Sequence, residues 1–257
     1  MEYLIVCAVA FFASSLTLFS GFGLGTLLMP VIAIFFPLEV AVAVTGLVHL
    51  ANNGFKLLLL GRSVDLSVLL RFGLPAVLGA SFGAAVLVTL STIDLGFEYS
   101  LFGRVFTTTV VNIVVGSLIL VFVMVELLPL ISRPGFAPGY LPLGGVLSGF
   151  FGGLSGHQGA FRSMFLLKMN LSKEAFIATG VSIAVLVDIT RLTIYGSDLF
   201  SDHEAVDWGL VIAASIAAFL AAFLGARLLH KVTLRSVQSL VSFMLVLIAI
   251  ALTLGFI

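Results

Sequence analysis

Predominantly apolar runs recur at 38–60, 66–90, 104–129, 172–196, 207–231 and 234–256, and each is long enough to supply the roughly 20 residues that a helix needs to cross a bilayer. In hydrocarbon every backbone N–H and C=O must be satisfied inside the segment, so runs of this kind fold as helices. Composition agrees. Apolar residues make up 61% of the chain and charged residues 9%, with a mean hydropathy of +1.27, far from the values of soluble domains. Little of the 257 residues is left for a soluble catalytic module. A formal net charge of zero argues against nucleic acid as a partner. The lone Cys7 offers neither an intrachain disulfide nor a metal framework. Glu2 stands where a cleaved secretory leader would carry Lys or Arg, so the first apolar stretch is expected to stay in the membrane.

Two regions depart from the simple spans. Residues 2–36 and 140–169 each show an apolar limb, a Gly-rich break ("SGFGLG", then "GFFGGLSGHQG") and a short second limb, at 25–36 and 159–169. A limb of that length rises through only about half a bilayer at ~1.5 Å per residue. Each region therefore reads as a re-entrant hairpin or a pair of short helices, with Gly giving the backbone its freedom at the break.

Charge placement sets the expected orientation, because Lys and Arg concentrate in cytoplasmic loops. Lys56, Arg62 and Arg71, then Arg133, then Lys168 and Lys173, then Arg227, His230, Lys231 and Arg235 mark the inner side; the acidic connection "YGSDLFSDHEAVDW" and the stretch 91–100 mark the outer side. Trp208 beside the acidic connection reads as an interfacial anchor, and the 24 Phe residues as lipid-facing bulk. A broken hairpin followed by three spans then occurs twice, at 1–130 and 140–257, joined by a cytoplasmic linker at 131–139. A shift of 134 or 135 residues places Gly25 on Gly159, Thr45 and Gly46 on Thr179 and Gly180, Asn53 on Asp188, and Lys56 on Arg191. Three spans per half invert one half against the other. The expected fold is thus an all-α polytopic membrane protein of two inverted-topology repeats, an arrangement common among secondary transporters.

The polar residues that interrupt this hydrocarbon define a candidate site. The short limbs would open with free backbone N–H groups and a positive dipole end, which suits an anion. Gly21, Gly23, Gly25 and Thr26 belong to the first break; Ser155, His157, Gln158 and Gly159 belong to the second, with Arg162 one turn further on. Arg162 supplies either a guanidinium fork to an oxyanion or a cation that snorkels to a headgroup. On the span after the first break, Thr45, His49, Asn52, Asn53 and Lys56 share a helical face; on the span after the second stand Thr179, Asp188 and Arg191. Asp188 and Arg191 read equally as an ion pair that locks helices or as a coupling element with Lys56. Asp188 is the best acceptor for a coupling cation, H⁺ or Na⁺, and His49 or His157 the best group to titrate. Thr45 and Thr179 could offer hydroxyls to substrate or bond back to their own helices. No nucleotide loop, zinc signature or hydrolase motif is present, so neither cofactor nor enzymatic activity is expected. His157 with Ser155 is too small a set for catalysis, and clustered polar positions fit a transporter better than a channel lined by polar rings.

These motifs resemble the sulfite exporter TauE/SafE family, also called the TSUP family. "SGFGLGTLLMP" followed by "AVAVTGLVHLANN", and "GGLSGHQGAF" followed by "AFIATGVSIAVLVD", look like its two copies, with Leu24 interrupting the Gly run and Met164 where the family places Pro. The resemblance spans nearly the whole chain. It implies transport of a small, often sulfur-containing anion such as sulfite or a sulfonate across the plasma membrane. The small residues of "AASIAAFLAAFLGA" (213–226) would permit close helix approach, in a homodimer or within one subunit.

Overall fold

The computed structural model describes residues 1–20, 24–93, 95–101, 103–127, 136–199, 206–228 and 234–256. Ten helices run through them: α1 (Glu2–Ser20), α2 (Leu24–Ile32), α3 (Leu38–Leu60), α4 (Leu66–Ser91), α5 (Val110–Leu127), α6 (Leu141–Ser155), α7 (Gly159–Leu166), α8 (Lys173–Leu199), α9 (Trp208–Leu228) and α10 (Leu234–Thr253). Asp65 caps α4 by accepting the Val68 N–H at 2.9 Å, and one π turn interrupts that helix at Leu69–Gly73. Among the described residues, α4 and Lys173–Gly196 of α8 are long and apolar enough to cross a bilayer by length and composition; Glu2–Ser15, Val110–Met124, Trp208–Leu224 and Ser242–Thr253 are shorter apolar helices.

Helix boundaries follow the hydropathy pattern except at one place. The run expected to be helical from residue 104 begins instead as an antiparallel hairpin, β1 (Gly96–Leu101) with β2 (Arg104–Thr109). The physical reason is local. Val105, Phe106 and Thr107 to Thr109 favour extended backbone, and Gly103 takes the positive φ of 74° that the tight turn requires. Tyr99 then donates its hydroxyl to the Leu254 carbonyl at 2.5 Å, tying the hairpin to the end of α10.

Packing is dominated by small residues. Helix α6 lies against α4 through Gly145, Gly149 and Gly153, where an added Cβ would stand 2.2, 1.9 and 2.2 Å from the carbonyl oxygens of Phe72, Ala76 and Ala80. Gly79 and Gly83 of α4 meet the Val146 and Phe150 carbonyls as closely. Such spacing of small residues four apart lets backbones touch, which is how helices associate where lipid removes the hydrophobic drive. Helix α9 packs on α1 in the other half, burying Ala214, Ala218 and Ala221 of the 213–226 stretch. Those alanines therefore serve packing within the subunit. Helix α3 lies against α8, and α5 against α10.

The outer face is apolar. Leu66, Leu70, Leu74, Leu78 and Phe82 of α4 are all exposed, as are Ile212, Ile216, Leu220 and Phe223 of α9, faces that only lipid or another protein would cover. Phe is not confined to such faces. Phe72, Phe122 and Phe165 are buried, and Phe122, Phe151 and Phe161 form an interior cluster with centroids 4.8 to 5.8 Å apart. Ring stacking between helices gives these residues a structural use that hydropathy alone does not separate from lipid contact.

Candidate functional site

The second break is built by a left-handed stop. Gly156 ends α6 with φ of 79°, its N–H bonding to the Gly152 carbonyl at 3.1 Å. A side chain is strained in that conformation, and a Cβ there would also stand 3.0 Å from Nη1 of Arg191. The chain then turns through His157 and Gln158 and restarts as α7 at Gly159. Helix α2 begins correspondingly at Leu24, and the two breaks approach one another: a Cβ on Gly25 would lie 3.4 Å from the Gly156 carbonyl oxygen and 3.5 Å from Cγ2 of Thr45. Gly21 and Gly23 lie outside the described residues.

At the crossing of α3, α7 and α8 stands a polar network, buried except at Arg162, which is half-buried. Asp188 is at its centre, fully buried. One carboxylate oxygen meets Nδ1 of His49 at 2.6 Å. The other accepts from Nε of Arg191 at 3.0 Å and from Nε2 of Gln158 at 3.3 Å, with Nη2 of Arg191 ion-paired to it at 2.8 Å. Gln158 faces both ways: its amide oxygen accepts from Nη1 of Arg162 at 3.3 Å. Arg191 reaches back across to the Gly152 carbonyl through Nη1 at 3.3 Å. Asn53 places its amide nitrogen 3.1 and 3.2 Å from the two ring nitrogens of His49. Lys56 is buried on the same helix, close enough to Arg162 for their charges to repel.

Two glycines seat the guanidinium groups. A Cβ on Gly46 would meet Nη2 of Arg191 at 3.2 Å, and one on Gly180 would meet Nε of Arg162 at 3.4 Å. These are the glycines that the shift of 134 residues superposes. Six buried side-chain atoms find no hydrogen-bond partner among the described residues, four of them on candidate site residues: Oγ1 of Thr45, Nδ2 of Asn52, Nε2 of His157 and Nη2 of Arg191, the last ion-paired to Asp188. Buried polar groups are nearly always paired, which sets these atoms apart from the rest of the interior.

The remaining sequence candidates sit as follows. Asn52 accepts from Ser14 at 3.2 Å, and Ser14 also donates to the Ala218 carbonyl at 2.8 Å, which ties α3 to α1 and α9. Ser155 presents its carbonyl and hydroxyl to Nδ1 of His157 at 2.9 and 3.2 Å, and its own hydroxyl donates to the Phe151 carbonyl at 3.1 Å. Thr26 is buried in α2. Thr179 stands apart from the network: its hydroxyl accepts the Asp65 N–H at 2.9 Å, joining α8 to the start of α4. Gly159 contributes the first residue of α7.

Two further residues belong to the site. Tyr195 is fully buried, and its hydroxyl donates to the Gly153 carbonyl; it follows Asp188 and Arg191 by seven and four positions, a spacing that marks one helical face. Ser148 donates to the Gln158 carbonyl at 3.0 Å and holds the break against α6. Its signal in sequence is only a hydroxyl inside a Gly-rich helix. Among the described residues no group of three His, Cys, Asp or Glu side chains could hold a metal ion.

A protein-family model for sulfite exporter TauE/SafE matches residues 6–252, which takes in every element of the network. No curated protein and no solved structure gives a significant match.

Proposed function

The chain belongs to the sulfite exporter TauE/SafE family of membrane transporters, and from that premise we propose that it is a multi-pass secondary transporter of the plasma membrane, moving a small sulfur-containing oxyanion such as sulfite or a sulfonate. The observation that carries the proposal is a charge imbalance. Arg191 pairs with the buried carboxylate of Asp188, while Arg162, half-buried, meets only the neutral amide of Gln158 in the hydrogen bonds described. Uncompensated charge away from water is costly, and an anion is the partner that relieves it. Arg162 is the cation best placed to take it, since Asp188 is already occupied by His49, Arg191 and Gln158. The first turns of α2 and α7 add free N–H groups and the positive ends of two helices, and the unpartnered atoms of Thr45, Asn52 and His157 add further polar contacts.

Alternating access is supported by the pairing of helices. Exchanging the two halves turns the contact of α4 with α6 into that of α9 with α1, and the contact of α8 with α4 into that of α3 with α9, while α3 with α8 and α5 with α10 map onto themselves. Two inverted repeats about a shared axis would produce this pattern, with α3 and α8 at the centre and the anion between the breaks.

The test is a thermal-shift screen of detergent-purified protein against sulfite, thiosulfate, taurine, sulfoacetate, acetate and chloride, alongside Arg162→Gln. A ligand that binds only the folded state raises its stability by mass action. A selective shift with a sulfur oxyanion, lost in the variant, is the expected result. No shift with any anion in either protein would refute the proposal.

A further inference from the structure

We infer that His157 binds one proton together with the anion, so that the ion coupled to transport is H⁺; this rests on the anion site proposed above. The inference follows from which atoms can carry hydrogen. Nδ1 of His157 lies 2.9 Å from the Ser155 carbonyl, and a carbonyl oxygen only accepts, so Nδ1 holds a hydrogen in every state of the ring. The neutral ring then has a bare lone pair on Nε2. Nε2 is buried and meets no hydrogen-bond donor among the described residues, while Phe122 covers the ring at a centroid distance of 5.5 Å. As it stands, the imidazole offers only an acceptor, in the break between α6 and α7 where an anion, itself an acceptor, is proposed to bind.

A proton resolves the conflict. Protonated at Nε2, the ring becomes a charged donor to an oxyanion; if the anion brings the proton as an O–H group, Nε2 accepts it. Either way one proton lies between ring and anion, and the stoichiometry is the same. The charged groups nearby make the two events depend on each other. Nη1 of Arg191 packs beside Gly156, next to His157; Arg162 and Lys56 add positive charge from α7 and α3; His49 lies on the far side of Asp188. Asp188 is the one carboxylate of the described network, and its oxygens are held by His49, Arg191 and Gln158. With the carboxylate of the described network already engaged, an arriving anion is the group that offsets a protonated His157, and by linkage each ligand tightens the other. An alkali cation has no comparable place, since it needs several oxygen ligands and this network offers mostly N–H donors.

The experiment is titration calorimetry of the whole purified protein with thiosulfate and with sulfoacetate, neither of which exchanges a proton between about pH 6 and 8, the range in which histidines usually titrate. Buffers of different ionisation enthalpy give the number of protons taken up per anion. Wild type is expected to take up a fraction of a proton that grows toward one as pH falls. His157→Asn keeps an N–H for the Ser155 carbonyl and removes Nε2; it should bind more weakly, with no uptake. A second readout leaves the residue in place: among the four histidines, the ¹⁵N spectrum of labelled wild type should show one ring lose its lone-pair nitrogen when thiosulfate is added. Binding without proton uptake, or without that change, overturns the inference and leaves the anion site standing. Uptake that survives in His157→Asn but vanishes in His49→Gln moves the proton to the His49–Asp188 pair and also overturns it. Absence of binding by any anion overturns both.

Discussion

Gln158→Glu turns the charge argument into a number. The carboxamide stands between Arg162 and Asp188, 3.3 Å from each, and replacement by carboxylate changes neither length nor shape. The new carboxylate pairs with Arg162, the cation assigned to the substrate, on one side and faces Asp188 on the other, so the full effect is read at a pH high enough to keep it ionised. An anion on the open side of that guanidinium would be about 6 Å from the added charge, and at an effective dielectric of about 20 the repulsion is about 3 kcal/mol. At ~1.4 kcal/mol per decade, thiosulfate or sulfite affinity should fall roughly 100-fold. Gln158→Met removes the amide contacts to Arg162 and Asp188 without adding charge, frees Arg162 for the anion, and should cost less affinity than Gln158→Glu. Calorimetric titration of both variants against wild type reads the difference. Wild-type affinity in Gln158→Glu would show that Arg162 does not face the anion, and equal losses in both variants would show that shape and not charge governs the site.

Three further outcomes follow from the geometry. Gly149→Val sets a Cβ 1.9 Å from the Ala76 carbonyl, whereas a Cβ on Gly54 meets nothing within 4 Å; thermal unfolding in detergent should register a loss of about 3 kcal/mol or more for the first and a neutral or favourable change for Gly54→Ala. Gly25→Val adds branches to a position already 3.4 Å from the Gly156 carbonyl oxygen and 3.5 Å from Thr45, so anion flux should vanish while folded protein is recovered; normal flux would remove the meeting of the breaks from the mechanism. Asp207 precedes α9, outside the helix, and the single hydrogen of the Tyr3 hydroxyl is shared between its two oxygens, both 2.7 Å away, while the Leu210 N–H adds a bond at 3.0 Å; together these hold the Asp207 carboxyl below its ordinary value. A depressed carboxylate contributes stability above the unfolded value of about 3.9 and loses it as pH falls through the lower folded value. Wild type should therefore lose a small part of its melting temperature below about pH 4, and Asp207→Asn should not lose that part.

What was legible in the sequence depended on whether one residue sufficed to signal it. The helix restart at Gly159 and the start of α2 at Leu24 fall within one residue of the expected limbs, but the Gly run before the second restart stays helical to Ser155, its glycines packing on α4, and only Gly156 makes the turn. His49, Gln158, Arg162, Asp188 and Arg191 stand out because polar groups inside spans must find one another, and they do. Thr179 matches Thr45 in the repeat and reads as a hydroxyl for substrate or for its own helix; it instead accepts the Asp65 backbone N–H, a use that a small hydroxyl takes as easily. The hairpin at 96–109 was hidden because "RVFTTT" continues the apolar run that follows it. The seating of Arg191 against Gly46 and of Arg162 against Gly180 needed two helices at once. In sequence a glycine that makes room for a guanidinium reads like any other glycine.

The most direct measurement of the central claim is uptake of ³⁵S-labelled sulfite and thiosulfate into liposomes holding the purified protein, compared with Arg162→Gln and with empty liposomes. Saturable uptake, competed by unlabelled sulfur oxyanion and lost in the variant, is the expected result. Uptake no greater than in empty liposomes, or uptake that Arg162→Gln leaves unchanged, would contradict a sulfur-anion transporter built on this site.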